Sequence, residues 1–95
     1  MLAAGCGTGG IAKGGDPSKG KQLFQAKCGG CHTLAAAGTT GTVGPNLDDA
    51  MPSKDLVVTR VTNGMGAMPP FKDVLNEQQI NAVADYVSSS AGSAP

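Results

Sequence analysis

Residues 28 to 32 read Cys28-Gly29-Gly30-Cys31-His32, two thiols separated by two glycines with an imidazole directly after the second. No other stretch constrains the fold as strongly, because three groups able to bind a metal or form a covalent bond must share one turn of backbone. The chain has 95 residues, enough for one small domain and too few for two. Composition matters here for what it lacks. With no Trp, one Tyr and two Phe beside fifteen Gly, three aromatic rings are all that is available to fill a core. Chains this short usually need a disulfide, a metal or a bound group to offset the entropy lost on folding. Whatever the pentad binds is expected to complete this core.

Several chemistries use that spacing. Two thiols on one helical turn can each add across one of haem's two vinyl groups, leaving the adjacent histidine beneath the ring to ligate iron. A disulfide-exchange site also uses two thiols, but opens a helix in a chain of alternating strands and helices, a pattern absent here. A zinc knuckle would take Cys28, Cys31 and His32 with Cys6 as fourth ligand, although adjacent Cys31 and His32 are poorly placed for a tetrahedron. A structural Cys28–Cys31 disulfide is the plainest reading. Under the haem reading the iron needs a second axial ligand, and a thioether there stabilises ferrous iron. The sulfur candidates are Met51, Met65 and Met68. Methionine is by default a core filler. Met68, however, is followed by Pro69-Pro70-Phe71, whose fixed dihedrals can hold the sulfur in one direction, and beside the pentad it becomes the expected ligand.

Three helical segments are expected. The first is capped by Asp16, takes Pro17 into its first turn and runs to about Lys27, with Gly20, Leu23 and Phe24 inward. The second is capped by Ser53, carries Leu56, Val57, Val58 and Val61, and closes at Asn63-Gly64. The third opens on Asn76 with Gln79 as reciprocal cap and presents Ile80, Val83, Ala84 and Val87 at helical spacing, with Tyr86 beside them. No alternating strand pattern is present. Residues 1–15 read as a Gly-rich linker or tether, 16–88 as the domain and 89–95 as a disordered tail. Net charge is zero, without the basic excess that nucleic-acid binding requires. The charge is uneven: residues 1–32 carry four Lys against Asp16, and the remainder three basic residues against six acidic ones. No apolar run is long enough to span a membrane.

The chain resembles the small bacterial class I c-type cytochromes over residues 16–88. The likeness rests on Gly20 and Phe24, the pentad, Gly44-Pro45-Asn46-Leu47, and Asn63-Gly64-Met65-Gly66-Ala67-Met68-Pro69-Pro70-Phe71 leading into the helix with Tyr86. The resemblance implies an all-α, class I cytochrome c fold, with three main helices wrapped around one covalently attached haem and no sheet. It implies thioether links to Cys28 and Cys31, His32 as proximal and Met68 as distal iron ligand, and the Pro45 carbonyl fixing the histidine's other ring nitrogen. Gly20 and Phe24 would cross the last helix near Val83 and Tyr86. Leu23, Leu47, Leu56, Val57, Val61 and Val83 would surround the porphyrin.

With both axial positions filled by protein, the iron passes single electrons and transforms no substrate, so an electron carrier is expected and not an enzyme. Its cofactor is one haem c with its iron. Its partners are transient redox proteins, and the chain is expected to be a monomer. A haem c domain of a larger oxidase or dehydrogenase is the alternative. Attachment of this kind is completed outside the bacterial cytoplasmic membrane, which places the protein in the periplasm or on that membrane's outer face. Ala3-Ala4-Gly5-Cys6 is similar to the end of a bacterial lipoprotein signal, so lipid on Cys6 would anchor the chain, with only five residues before it.

Overall fold

Side chains at the helix starts satisfy amides that have no partner within the helix. The computed structural model describes residues 17–92. Helix α1 spans Pro17–Lys27. Its expected cap Asp16, the linker at 1–15 and Cys6 lie outside the described residues. Helix α3, Lys54–Asn63, begins where the Ser53 hydroxyl accepts the Leu56 N–H at 3.2 Å. Helix α4, Glu77–Ser90, begins in a reciprocal box: Asn76 Oδ1 accepts the Gln79 N–H and Gln79 Oε1 accepts the Asn76 N–H, each at 2.8 Å. A short helix α2, Leu47–Ala50, was not anticipated. The Asn46 side chain starts it by accepting the Asp48 and Asp49 amides at 2.9 and 3.3 Å.

The expectation of no sheet is corrected. Strands β1, Thr33–Leu34, and β2, Thr39–Thr40, pair antiparallel with Thr33 opposite Thr40 and Leu34 opposite Thr39. A 3-10 turn at Ala35–Ala37 joins them and closes at Gly38 with φ of 73°. Thr39 holds the hairpin from its own side chain, donating to the His32 carbonyl at 2.9 Å and accepting the Leu34 N–H at 3.1 Å. Two-residue strands are too short to write a period-2 pattern, which is why none showed in the sequence.

Helix α4 packs against both α1 and α3. Its stripe of Ile80, Val83, Ala84 and Val87 is wholly buried, as the 3.6-residue period requires. Leu23, Phe24 and Leu34 complete a core in which each such side chain contributes about 1.5–3 kcal/mol by leaving water. Gly20 faces α4 so closely that a Cβ there would collide with the Ala82 carbonyl and come within 2.7 Å of Tyr86 Cβ. The crossing thus falls at Ala82 and Tyr86. The Phe24 and Tyr86 rings meet beside it, 6.3 Å between centroids and tilted by 54°. At the far end α4 continues through Ser90, past the expected start of the tail at 89, and the Gly92 N–H donates to Asp48 Oδ1 at 2.9 Å. Residues 93–95 lie outside the described residues.

Candidate functional site

The pentad is shaped by the end of α1. The Cys28 and Gly29 amides both donate to the Phe24 carbonyl, at 2.8 and 2.9 Å, and the Cys31 and His32 amides both donate to the Cys28 carbonyl at 3.1 Å. The turn that results keeps Cys28, Cys31 and His32 on the lining of one cleft. Cys28 is buried and Cys31 exposed, and both are free thiols, so the structure does not contain the plain Cys28–Cys31 disulfide. Burial, and after it the neighbouring Cys31, pushes the Cys28 thiol up to about 12. Disulfide exchange needs a thiolate, which burial disfavours at Cys28. Among the described residues no group of three His, Cys, Asp or Glu side chains is placed to hold a metal ion, which leaves the zinc reading without a ligand set there.

His32 is buried and held from behind. Its Nδ1 lies 2.8 Å from the Pro45 carbonyl oxygen. A carbonyl can only accept, so Nδ1 carries the proton and donates, which leaves the Nε2 lone pair as the group able to ligate a metal. Gly44 stacks against the same ring. A Cβ there would stand 2.5 Å from His32 Cε1, so glycine is what the approach of backbone to imidazole requires.

The cleft has a volume of about 480 Å³. Leu47, Leu56, Val57, Val61 and Val83 line it as expected, but Leu23 does not: it is fully enclosed in the core behind. Among the sulfur candidates, Met65 and Met68 line the cleft, whereas Met51, at the C-terminus of α2, is not among the lining residues. Met65 and Met68 exchange both backbone hydrogen bonds, at 2.9 and 3.0 Å, around a tight turn through Gly66 and Ala67. The Phe71 N–H donates to the Val61 carbonyl at 2.8 Å and so fastens the end of this loop to α3. Met68 is half-buried against the core, while Met65 is 62% exposed. Lys27, Val43 and Arg60 also line the cleft, and sequence reasoning had passed over all three. The place of Lys27 and Arg60 on it depends on how α1 and α3 pack, and that of exposed Val43 on the loop between β2 and α2, for which single residues carry no local signal.

A haem fits this donor set and these walls. The lining is chiefly aliphatic and small residues, with a histidine whose free lone pair is oriented, two thiols beside it and two thioethers on the same cleft. Leu56 remains 42% exposed although its helix neighbour Val57 is buried, as suits a side chain that covers a flat apolar group and not another part of the chain.

Comparison with known proteins points to the same cofactor. The family model described as cytochrome c oxidase, cbb3-type, subunit III, matches residues 15–87. Cytochrome c6 of Rippkaea orientalis is 39% identical over 84 residues, covering 84% of this chain and 76% of that protein. Cytochrome c6 of Leptolyngbya boryana is 38% identical over 80 residues, covering 80% and 94%. Among solved structures, the c-type cytochrome SorU of Sinorhizobium meliloti superposes with a TM-score of 0.75 at 45% identity, covering 80% of this chain and 91% of SorU. Cytochrome c6 of the diatom Phaeodactylum tricornutum gives 0.69 at 30% identity, covering 82% and 97%. By fold and by sequence the chain is thus similar to haem proteins, and it belongs to the class I c-type cytochromes, electron carriers with a covalently bound haem c.

Proposed function

We propose that Cys28 and Cys31 anchor the haem through thioether bonds, each S–H adding across one vinyl group, and that His32 and Met68 ligate its iron from its two faces. The observation that carries this reading is the His32–Pro45 bond, because it presents Nε2 as a lone pair on the same cleft that both thiols and Met68 line. When bound, the haem supplies a one-electron couple between ferric and ferrous iron. The chain's own residues fix the histidine tautomer, hold the sulfur loop against α3 and keep water from the cleft with Val57, Val61, Phe71 and Val83.

With two protein ligands no coordination position remains for a substrate, so the protein carries electrons without transforming molecules. Electrons pass at the cleft mouth, where Val43 and Met65 are 73% and 62% exposed beside the exposed Cys31. Small apolar rims of this kind suit brief encounters with redox proteins. The place of work is outside the bacterial cytoplasmic membrane, as a monomer, with the Gly-rich residues 1–15 as a tether and Cys6 available for lipid. Mass spectrometry of the native N-terminus checks that last point, since an unmodified Cys6 excludes the lipid. The match to an oxidase-subunit model favours a second reading, a haem c module with a fixed partner, which a co-purifying subunit would reveal.

Two measurements test the ligand set together. Haem colour should stay with the protein through acid-acetone extraction, and Met68→Ala should abolish the sulfur-to-iron absorption band while leaving the haem attached. Extraction of the haem overturns the thioether assignment; survival of the band moves the ligand to Met65.

A further inference from the structure

The ligands account for the cysteines, the histidine and the methionine of the cleft but not for its charge. Lys27 and Arg60 both line it, and no Asp or Glu does. On α3, Arg60 stands three residues after buried Val57 and so next to it on the helix surface, at the flank of the stripe that Val57 and Val61 bury. It is half-buried, and its carbonyl accepts the Gly64 N–H at 2.7 Å where the chain leaves the helix for Met65 and Met68. Arg60 therefore belongs to the helix end that positions the sulfur loop. Among the described residues the ion pair that forms joins Lys54 to Asp85, and Arg60 takes part in none. Arg60 therefore brings to the cleft a half-exposed positive charge with no ion-pair partner among the described residues. The two cleft cations also differ in kind. Lysine carries a compact ammonium on a flexible stem, whereas arginine carries a planar, delocalised guanidinium.

We propose that Arg60 sets the balance between ferric and ferrous iron. The inference rests on the haem assignment above and adds a role for a residue outside the ligand set. Reduction of the ferric centre takes one electron from a one-electron donor, breaks no bond and moves no proton, so the centre loses one unit of positive charge. A fixed positive charge on the cleft disfavours the ferric form and favours the ferrous one. In a partly buried site a single charge shifts such an equilibrium by about tenfold. Arg60 is a positioning charge, acting through the field at the iron and not by ligation.

The test is spectro-electrochemical titration of the haem-loaded protein beside its Arg60→Lys, Arg60→Gln and Arg60→Leu variants, with the sulfur-to-iron band recorded in each. At the wild-type midpoint, the ferrous-to-ferric ratio is expected to fall about tenfold in Arg60→Gln and Arg60→Leu and to stay within about threefold in Arg60→Lys. A wild-type ratio in Arg60→Gln overturns the proposal, and so does a fall in Arg60→Lys as large as in Arg60→Gln, since shape and not charge would then be responsible. Where Arg60→Leu loads haem poorly, the comparison of Lys with Gln, both long and polar, decides. A wild-type protein without the sulfur-to-iron band would fail the ligand assignment itself, whereas a normal band with an unmoved potential in Arg60→Gln fails this inference alone.

Discussion

At the scale of single residues, the site depends on contacts that leave no slack around the histidine. The Pro45 carbonyl fixes which nitrogen of His32 is free, and Gly44 lets backbone lie flat against the ring. In Gly44→Ala the new Cβ would sit 2.5 Å from Cε1, so the ring must move from its place. The expected result is a protein that still folds around α1 and α4 but loads less haem, with a visible spectrum shifted from low-spin toward high-spin iron. An unchanged low-spin spectrum and yield would show that the ring has room that the structure does not give it. The sequence marked Gly44 and Pro45 only as part of a resemblance. What each touches depends on residues 33–43 returning the chain to His32.

At the scale of elements, two effects oppose each other at Gly20. Alanine is the better helix former by about 1 kcal/mol, so substitution at an exposed site would stabilise α1. Here the methyl group meets the Ala82 carbonyl and Tyr86 Cβ, and forcing two packed helices apart costs about 1–3 kcal/mol. The second term wins. Gly20→Ala is expected to lower the midpoint of denaturant unfolding without altering the slope, and a raised midpoint would mean that α1 and α4 do not cross as closely as described. The glycine's need for close approach was readable from its place one turn before Phe24, and so were the caps at Ser53 and Asn76. The hairpin and α2 were not, because a two-residue strand or a single turn of helix holds too few positions for a period to appear.

At the scale of the whole molecule, one carboxylate ties distant parts of the chain together. Asp48 Oδ2 accepts the Ala35 N–H and its Oδ1 accepts the Gly92 N–H, each at 2.9 Å, so α2, the β1–β2 connection and the end of α4 share a single anchor. The Ala35 amide first, and the Gly92 amide next, hold this carboxyl below the usual carboxylate range. A group with a lowered folded-state value stabilises the fold above its unfolded value and loses that effect as pH falls through the folded one. Wild type should therefore exceed Asp48→Asn in thermal stability at neutral pH, and the difference should shrink from about pH 4 downward. A difference that stays constant across that range would show that the carboxylate's charge plays no part in the anchor.

The sequence by itself determined the chemistry and the helices: a pentad whose three reactive groups are adjacent in the chain, and capped segments whose apolar residues repeat every three or four positions. These are local properties, written within one or two turns of backbone. Only the tertiary structure decided which methionines share the cleft with His32, that Leu23 fills the core behind it while Leu56 faces it, that the hairpin and α2 exist, and that Lys27 and Arg60 turn inward. Those outcomes depend on how α1, α3 and α4 cross and on hydrogen bonds between residues far apart in sequence, such as His32 with Pro45 and Asp48 with Gly92. Such contacts form only when the whole chain packs, so no single stretch of residues records them.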